Sequence, residues 1–121
     1  MIIDYLAIAL GGALGAAIRY SVAQLMPASA DGIPWATLIV NLAGAFLLGA
    51  LARASQARAR WVLFAGVGFL GSLTTFSTLA LEISMRSSAS LALTYALWTL
   101  GLGIAAAWLG AEMMERWEDR Q

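Results

Sequence analysis

The chain has 121 residues, of which 61% are hydrophobic and 12% charged, with a mean hydropathy of +0.80. That charge is about half the share of a soluble domain, so an integral membrane protein is expected. Seven arginines balance seven acids, and cysteine, histidine and lysine are missing. Disulfides, thiolate metal sites, serine–histidine triads and a basic nucleic-acid face are therefore excluded, and no enzyme is expected from so few titratable groups.

In chain order, the first apolar segment covers about residues 4–25, close to the roughly 20 residues that span a bilayer. Gly11, Gly15 and Arg19 recur along it every four residues, with Gly12 and Ala16 alongside. Small residues at that spacing form a face on which two helices approach closely. Arg19 either snorkels to the headgroups or faces a polar cavity, where it attracts an anion or makes an internal contact. Ala28-Ser29-Ala30 resembles a leader-cleavage site, but Asp4 stands where a leader carries positive charge and Arg19 interrupts the apolar run. No cleaved leader is expected. Pro27, Asp31 and Gly32 form a turn, and Pro34 opens the next helix.

The second segment covers about residues 34–52 and holds Asn41 in an otherwise apolar run, with Thr37 one turn earlier. Asn41 either bonds across helices or presents its N–H groups to an anion path. The third covers about residues 61–84 and is the most informative. Gly66, Gly68 and Gly71 lead into Thr74-Thr75-Phe76-Ser77-Thr78, four hydroxyls in five residues. Hydrocarbon offers these groups no partners, so they must face protein or a water- or ion-filled path. The glycines favour a helix broken at mid-membrane, with carbonyls freed for a cation. Phe76 carries partial positive charge on its ring edge, a donor for an anion that needs no formal charge. Glu82 is either interfacial or part of the path. The fourth segment, about residues 90–112, places Tyr95 and Thr99 one turn apart, either as an interfacial residue and its neighbour or as a polar stripe.

Trp35, Trp61 and Trp117 fall near segment ends, as an interfacial aromatic belt requires. With four spans, both termini and the 54–60 loop share one side, which collects Arg53, Arg58, Arg60, Arg116 and Arg120 against Arg19 and Arg86. The positive-inside rule puts that side in the cytoplasm, and a bias so modest permits insertion both ways.

Three blocks together resemble the small bacterial fluoride channels of the Fluc, or CrcB, family: Gly11 to Tyr20, Thr37 to Gly44, and Gly68 to Thr78. The resemblance implies an all-α membrane protein of four transmembrane helices, forming an antiparallel, dual-topology homodimer in the bacterial inner membrane. It implies passive fluoride export through two pathways, and a structural sodium ion at the dimer interface. Position by position, Asn41 looks like the pore asparagine, Phe76 like a ring-edge fluoride contact, and Ser77 and Thr78 like the hydroxyls beside it. Gly71 and Thr74 match the positions whose carbonyls hold sodium. Arg19 matches a vestibule arginine and Glu82 an acid near the path, while Tyr95 and Thr99 correspond to a polar track. One departure stands out: the family's second phenylalanine is Leu79. Either one phenylalanine suffices, or throughput falls, or this subunit pairs with a different partner.

The rival reading is a small four-helix proton-coupled drug exporter. That chemistry wants a carboxylate embedded in the first span, and Asp4 lies at its edge. A non-transporting structural subunit is the third reading, for which the 71–78 cluster would be needless.

Overall fold

The computed structural model describes residues 1–27, 32–54 and 58–121. The Ala28-Ser29-Ala30 sequence and the middle of the 54–60 loop lie outside the described residues. Within them the chain is helical, with no strand. Four helices are long and apolar enough to cross a membrane: α1 (Ile2–Leu25), α2 (Trp35–Arg53), α3 (Ala59–Ser84) and α4 (Ala89–Glu118). At 1.5 Å per residue, the 19 residues of α2 reach about 28 Å, close to the thickness of the hydrocarbon layer. The 30 residues of α4 continue beyond the expected end of the fourth span, carrying the charged tail with them.

Two helix pairs form the bundle: α1 lies along the first half of α3, and α2 along α4. Both seams are glycine contacts. A Cβ on Gly11 would strike the Phe64 carbonyl, and one on Gly15 the Phe69 carbonyl, so α1 and α3 touch backbone to backbone. Gly49 against Ala107, and Gly110 against Phe46, do the same between α2 and α4. Lipid is as apolar as leucine, so such close approach supplies the packing that hydrophobic burial supplies in water. The small-residue face of α1 is thus a packing face. Apolar side chains such as Leu10, Leu14, Leu97 and Ile104 point outward.

Ion pairs define one end of the bundle. Arg53 pairs with Glu115, joining α2 to α4, and Arg60 Nε lies 3.6 Å from Asp4 Oδ1, joining α3 to α1. At the other end, Arg86 Nη1 donates to the Gly32 carbonyl at 2.6 Å, tying the two opposite connections together. The pattern is an up–down four-pass arrangement, as the short linkers require.

The first half of α3 was not foreseen. Val62–Leu70 is wound as a π-helix, the wide form that occurs mostly as short insertions in α-helices. Phe64 and Phe69, five residues apart, therefore meet Gly11 and Gly15, four apart on α1. The glycines were expected to favour the break in this helix. The interruption is present, three residues past Gly71. None of the described glycines has a positive φ, and Gly66 and Gly68 are buried packing residues within the π-wound stretch. The interruption falls beyond them, at Thr74 (φ −76°, ψ 152°) and Thr75 (φ −147°, ψ 119°), both extended. Helix resumes at Phe76–Ser84.

Candidate functional site

Asn41 and Thr75 form the centre of the site. The Thr75 N–H donates to Asn41 Oδ1 at 2.7 Å, and Asn41 Nδ2 donates to the Thr75 carbonyl at 3.0 Å. A side-chain amide thus pairs with the N–H and C=O of one residue as a neighbouring strand would, satisfying backbone that the helix has abandoned. Of the two readings of Asn41, the cross-helix bond is present. The amide has a second N–H hydrogen beyond the one given to Thr75.

Thr75 also caps the resumed helix. Its Oγ1 accepts from the Thr78 N–H at 3.1 Å, donates to Thr78 Oγ1 at 3.0 Å, and lies 3.2 Å from Ser77 Oγ. A threonine three residues ahead of the N–H it satisfies is an N-cap, the signal by which sequence reasoning could have singled it out. On the other side of the break, Thr74 Oγ1 donates back to the Leu70 carbonyl at 2.9 Å. The Thr74 methyl packs on Gly44, where a Cβ would displace it.

Two carbonyls are deprived of their helical donors by this arrangement. In a continuous α-helix the Gly71 carbonyl accepts from the Thr75 N–H, and the Thr74 carbonyl from the Thr78 N–H. Those donors are given instead to Asn41 Oδ1 and Thr75 Oγ1. Gly71, Phe76 and Ser77 are exposed on the outside of the subunit, Phe76 at 74%. Leu79, one turn after Phe76, is 4% exposed and points into the subunit, so the two positions do not share a face.

Arg19 lies at a cavity of mixed lining. A cleft of 220 Å³ between α1, α2 and the break is lined by Arg19, Tyr20, Thr37, Val40, Thr75 and Thr78. Thr37 leads out of it, donating from Oγ1 to Glu82 Oε1 at 2.6 Å. The other carboxylate oxygen of Glu82 accepts from the Tyr95 hydroxyl at 2.8 Å. Glu82 is therefore internal, held between α2 and α4. The Tyr95 ring lies under the Arg86 guanidinium, 5.2 Å from its centroid, a cation–π arrangement. Both residues line a larger, mostly apolar cavity of 440 Å³ with Trp35, Trp98 and Thr99. The Thr99 hydroxyl is buried there without a hydrogen-bond partner among the described residues. Thus Arg19 and Thr78 line the smaller cavity and Tyr95 and Thr99 the larger, Glu82 is bonded to one residue of each, and Asn41 bonds to Thr75, while Phe76 and Ser77 look outward. Arg86 enters the sequence reading only through the charge balance of the two sides, because nothing local to it reveals a partner 54 positions away.

Residues 6–111 match the family described as CrcB-like protein, Camphor Resistance (CrcB). The chain belongs to the CrcB family. Among curated relatives, a protein of Thermus thermophilus named fluoride-specific ion channel FluC is 44% identical over 115 residues, covering 88% of this chain and 90% of the relative. Fluoride-specific ion channel FluC 1 of Ligilactobacillus salivarius is 38% identical, covering 86% and 93%. Its namesake in Listeria monocytogenes is 35% identical, covering 91% and 96%. Family membership and four apolar helices make this a multi-pass membrane protein. The CrcB chain carries its interrupted helix and polar residues within that framework.

Proposed function

We propose that this chain is a fluoride-selective channel that lets fluoride leave the cytoplasm passively, and so reduces fluoride toxicity. The observation that carries the reading is the interruption of α3 at Thr74–Thr75, lined by hydroxyls and one amide within an apolar helix. Support comes also from the relatives named as fluoride-specific channels. Neutral donors suit a small, strongly hydrated anion, which must bind well enough to enter and weakly enough to leave. Asn41, Phe76, Ser77 and Thr78 are the donors of that path, Arg19 attracts the anion at the cleft, and Thr99, Tyr95 and Glu82 continue the polar track.

The working unit is an antiparallel homodimer in the bacterial inner membrane, with α3 broken at mid-membrane. Exposure of Gly71 and Phe76 on the outside of one subunit is consistent with their facing a second copy. Gly71 and Thr74 would hold a sodium ion there. Their carbonyls lack helical donors, and the described residues contain no cluster of three or more His, Cys, Asp or Glu, so the available ligands are neutral oxygens suited to a hard monovalent cation. Bound sodium would supply positive charge and a cross-link between subunits. The chain's own contribution is to keep those carbonyls out of the helix.

A proton-coupled exporter is disfavoured. Asp4 sits in the first turn of α1, 2.9 Å from the amino terminus and beside Arg60, at the charged end of the bundle. The deciding experiment is fluoride efflux from liposomes holding the purified protein. Efflux should be rapid and uncoupled from a proton gradient, and Phe76→Ile should reduce it strongly with dimer assembly intact. Wild-type efflux in the Phe76→Ile variant would assign Phe76 to packing instead, and no fluoride efflux from wild-type protein would end the channel reading.

A further inference from the structure

We infer that Asn41 is a positioning residue for the cation site: its amide holds the α3 break open and thereby keeps the Gly71 carbonyl available. The inference rests on the sodium reading above, and it assigns to Asn41 a task separate from any contact with an anion. The argument is one of hydrogen-bond competition. The Thr75 N–H has two possible acceptors, Asn41 Oδ1 on α2 or the Gly71 carbonyl one turn back. It is bonded to Asn41 at 2.7 Å. Were that acceptor removed, the buried N–H would be left unpaired, which is costly, or would return to Gly71 by closing the helix. Closing the helix consumes the carbonyl.

The second bond of the clasp works in the same direction. Asn41 Nδ2 donates to the Thr75 carbonyl at 3.0 Å, so the peptide groups on both sides of the Thr75 Cα are tied to α2. The two backbone partners, one donor and one acceptor, also dictate which way the amide faces. Gly44, one turn along α2, contributes by admitting the Thr74 methyl. The same α2 face therefore sets both residues of the break.

The test uses the full chain in detergent, in chloride salts without fluoride, so that anion contacts play no part. Thermal unfolding is followed while sodium replaces N-methylglucamine at constant ionic strength. Wild-type protein should be stabilised by sodium through mass action. Asn41→Ala should raise the sodium concentration for half-maximal stabilisation by at least about tenfold, the size of one lost buried hydrogen bond. A purely structural role would lower the unfolding temperature equally in both cations and leave that concentration unchanged, which would overturn the proposal. Asn41→Asp, of the same shape, keeps the acceptor but not the donor when ionised and should fall between the two. If the alanine variant does not fold, Asn41→Leu, of similar bulk and without the acceptor, takes its place, and wild-type sodium dependence in it overturns the clasp.

Hydrogen exchange of the peptide spanning Gly71 to Thr78 separates this idea from the sodium reading. If wild-type protein is indifferent to sodium, the cation site fails, and the clasp then stands or falls on exchange at Thr75. Exchange about tenfold faster in Asn41→Ala means that the Thr75 N–H is left unpaired and supports the clasp, whereas unchanged exchange together with an unchanged unfolding temperature refutes it.

Discussion

Replacing Thr75 by valine removes one oxygen from a buried side chain and leaves its shape almost unchanged. Thr75 is 7% exposed, and its Oγ1 is the acceptor for the Thr78 N–H and a partner of two further hydroxyls. Loss of an N-cap costs about 0.5–2 kcal/mol, and a buried N–H left without a partner about 1–3 kcal/mol. The two figures describe the same bond, so they are not added. The expected loss is about 1–3 kcal/mol if Thr78 stays unpaired. It is smaller if the Thr78 N–H retreats to the Thr74 carbonyl, one α-helical turn back, but that carbonyl is then withdrawn from the cation site. Either outcome is visible. The first lowers stability in detergent-solubilised protein by a few degrees in thermal unfolding. The second weakens the dependence of stability on sodium. Thr75→Ser keeps the oxygen and should match wild type in both. A valine variant with wild-type stability and wild-type sodium dependence would refute the account of the break.

Other expectations follow from the seams and the charged ends. Gly68→Val should destabilise the protein by about 1–3 kcal/mol or more through overpacking, because a Cβ there would lie 2.6 Å from the Ile8 carbonyl, and size-exclusion should show loss of folded material. Arg53→Ala breaks an ion pair whose partners are about half exposed, at 53% and 48%, and should leave the thermal midpoint nearly unchanged. Arg58→Cys, labelled from outside intact cells with an impermeant reagent, should react in part of the population if copies insert both ways. Labelling of all copies or of none would favour a single orientation.

The membrane class, the number of spans and their approximate limits were legible in the sequence, because apolar runs of bilayer length carry that information locally. The polar cluster at 74–78 was equally legible, since hydroxyls within an apolar run contradict their surroundings. Gly11 and Gly15 were readable as a packing face from their spacing alone. What caused the interruption was not readable. Gly66, Gly68 and Gly71 precede it in π-wound and helical backbone, and the bond that holds the extended residues is made elsewhere. The Thr75 peptide is held by Asn41, 34 positions earlier, and such a bond exists only once α2 lies beside α3. Glu82 shows the same division. Its place in an apolar segment allowed either an interfacial role or a part in the path, and only the assembled bundle brings Thr37 on α2 and Tyr95 on α4 to bond it together. Arg86 was silent for the same reason, its carbonyl partner being in the opposite connection. Sequence by itself determined where the chain crosses the membrane and which residues are out of place there, since both depend on local composition. Tertiary structure decided what each misplaced polar group bonds to, because in hydrocarbon the nearest partner is supplied by another helix.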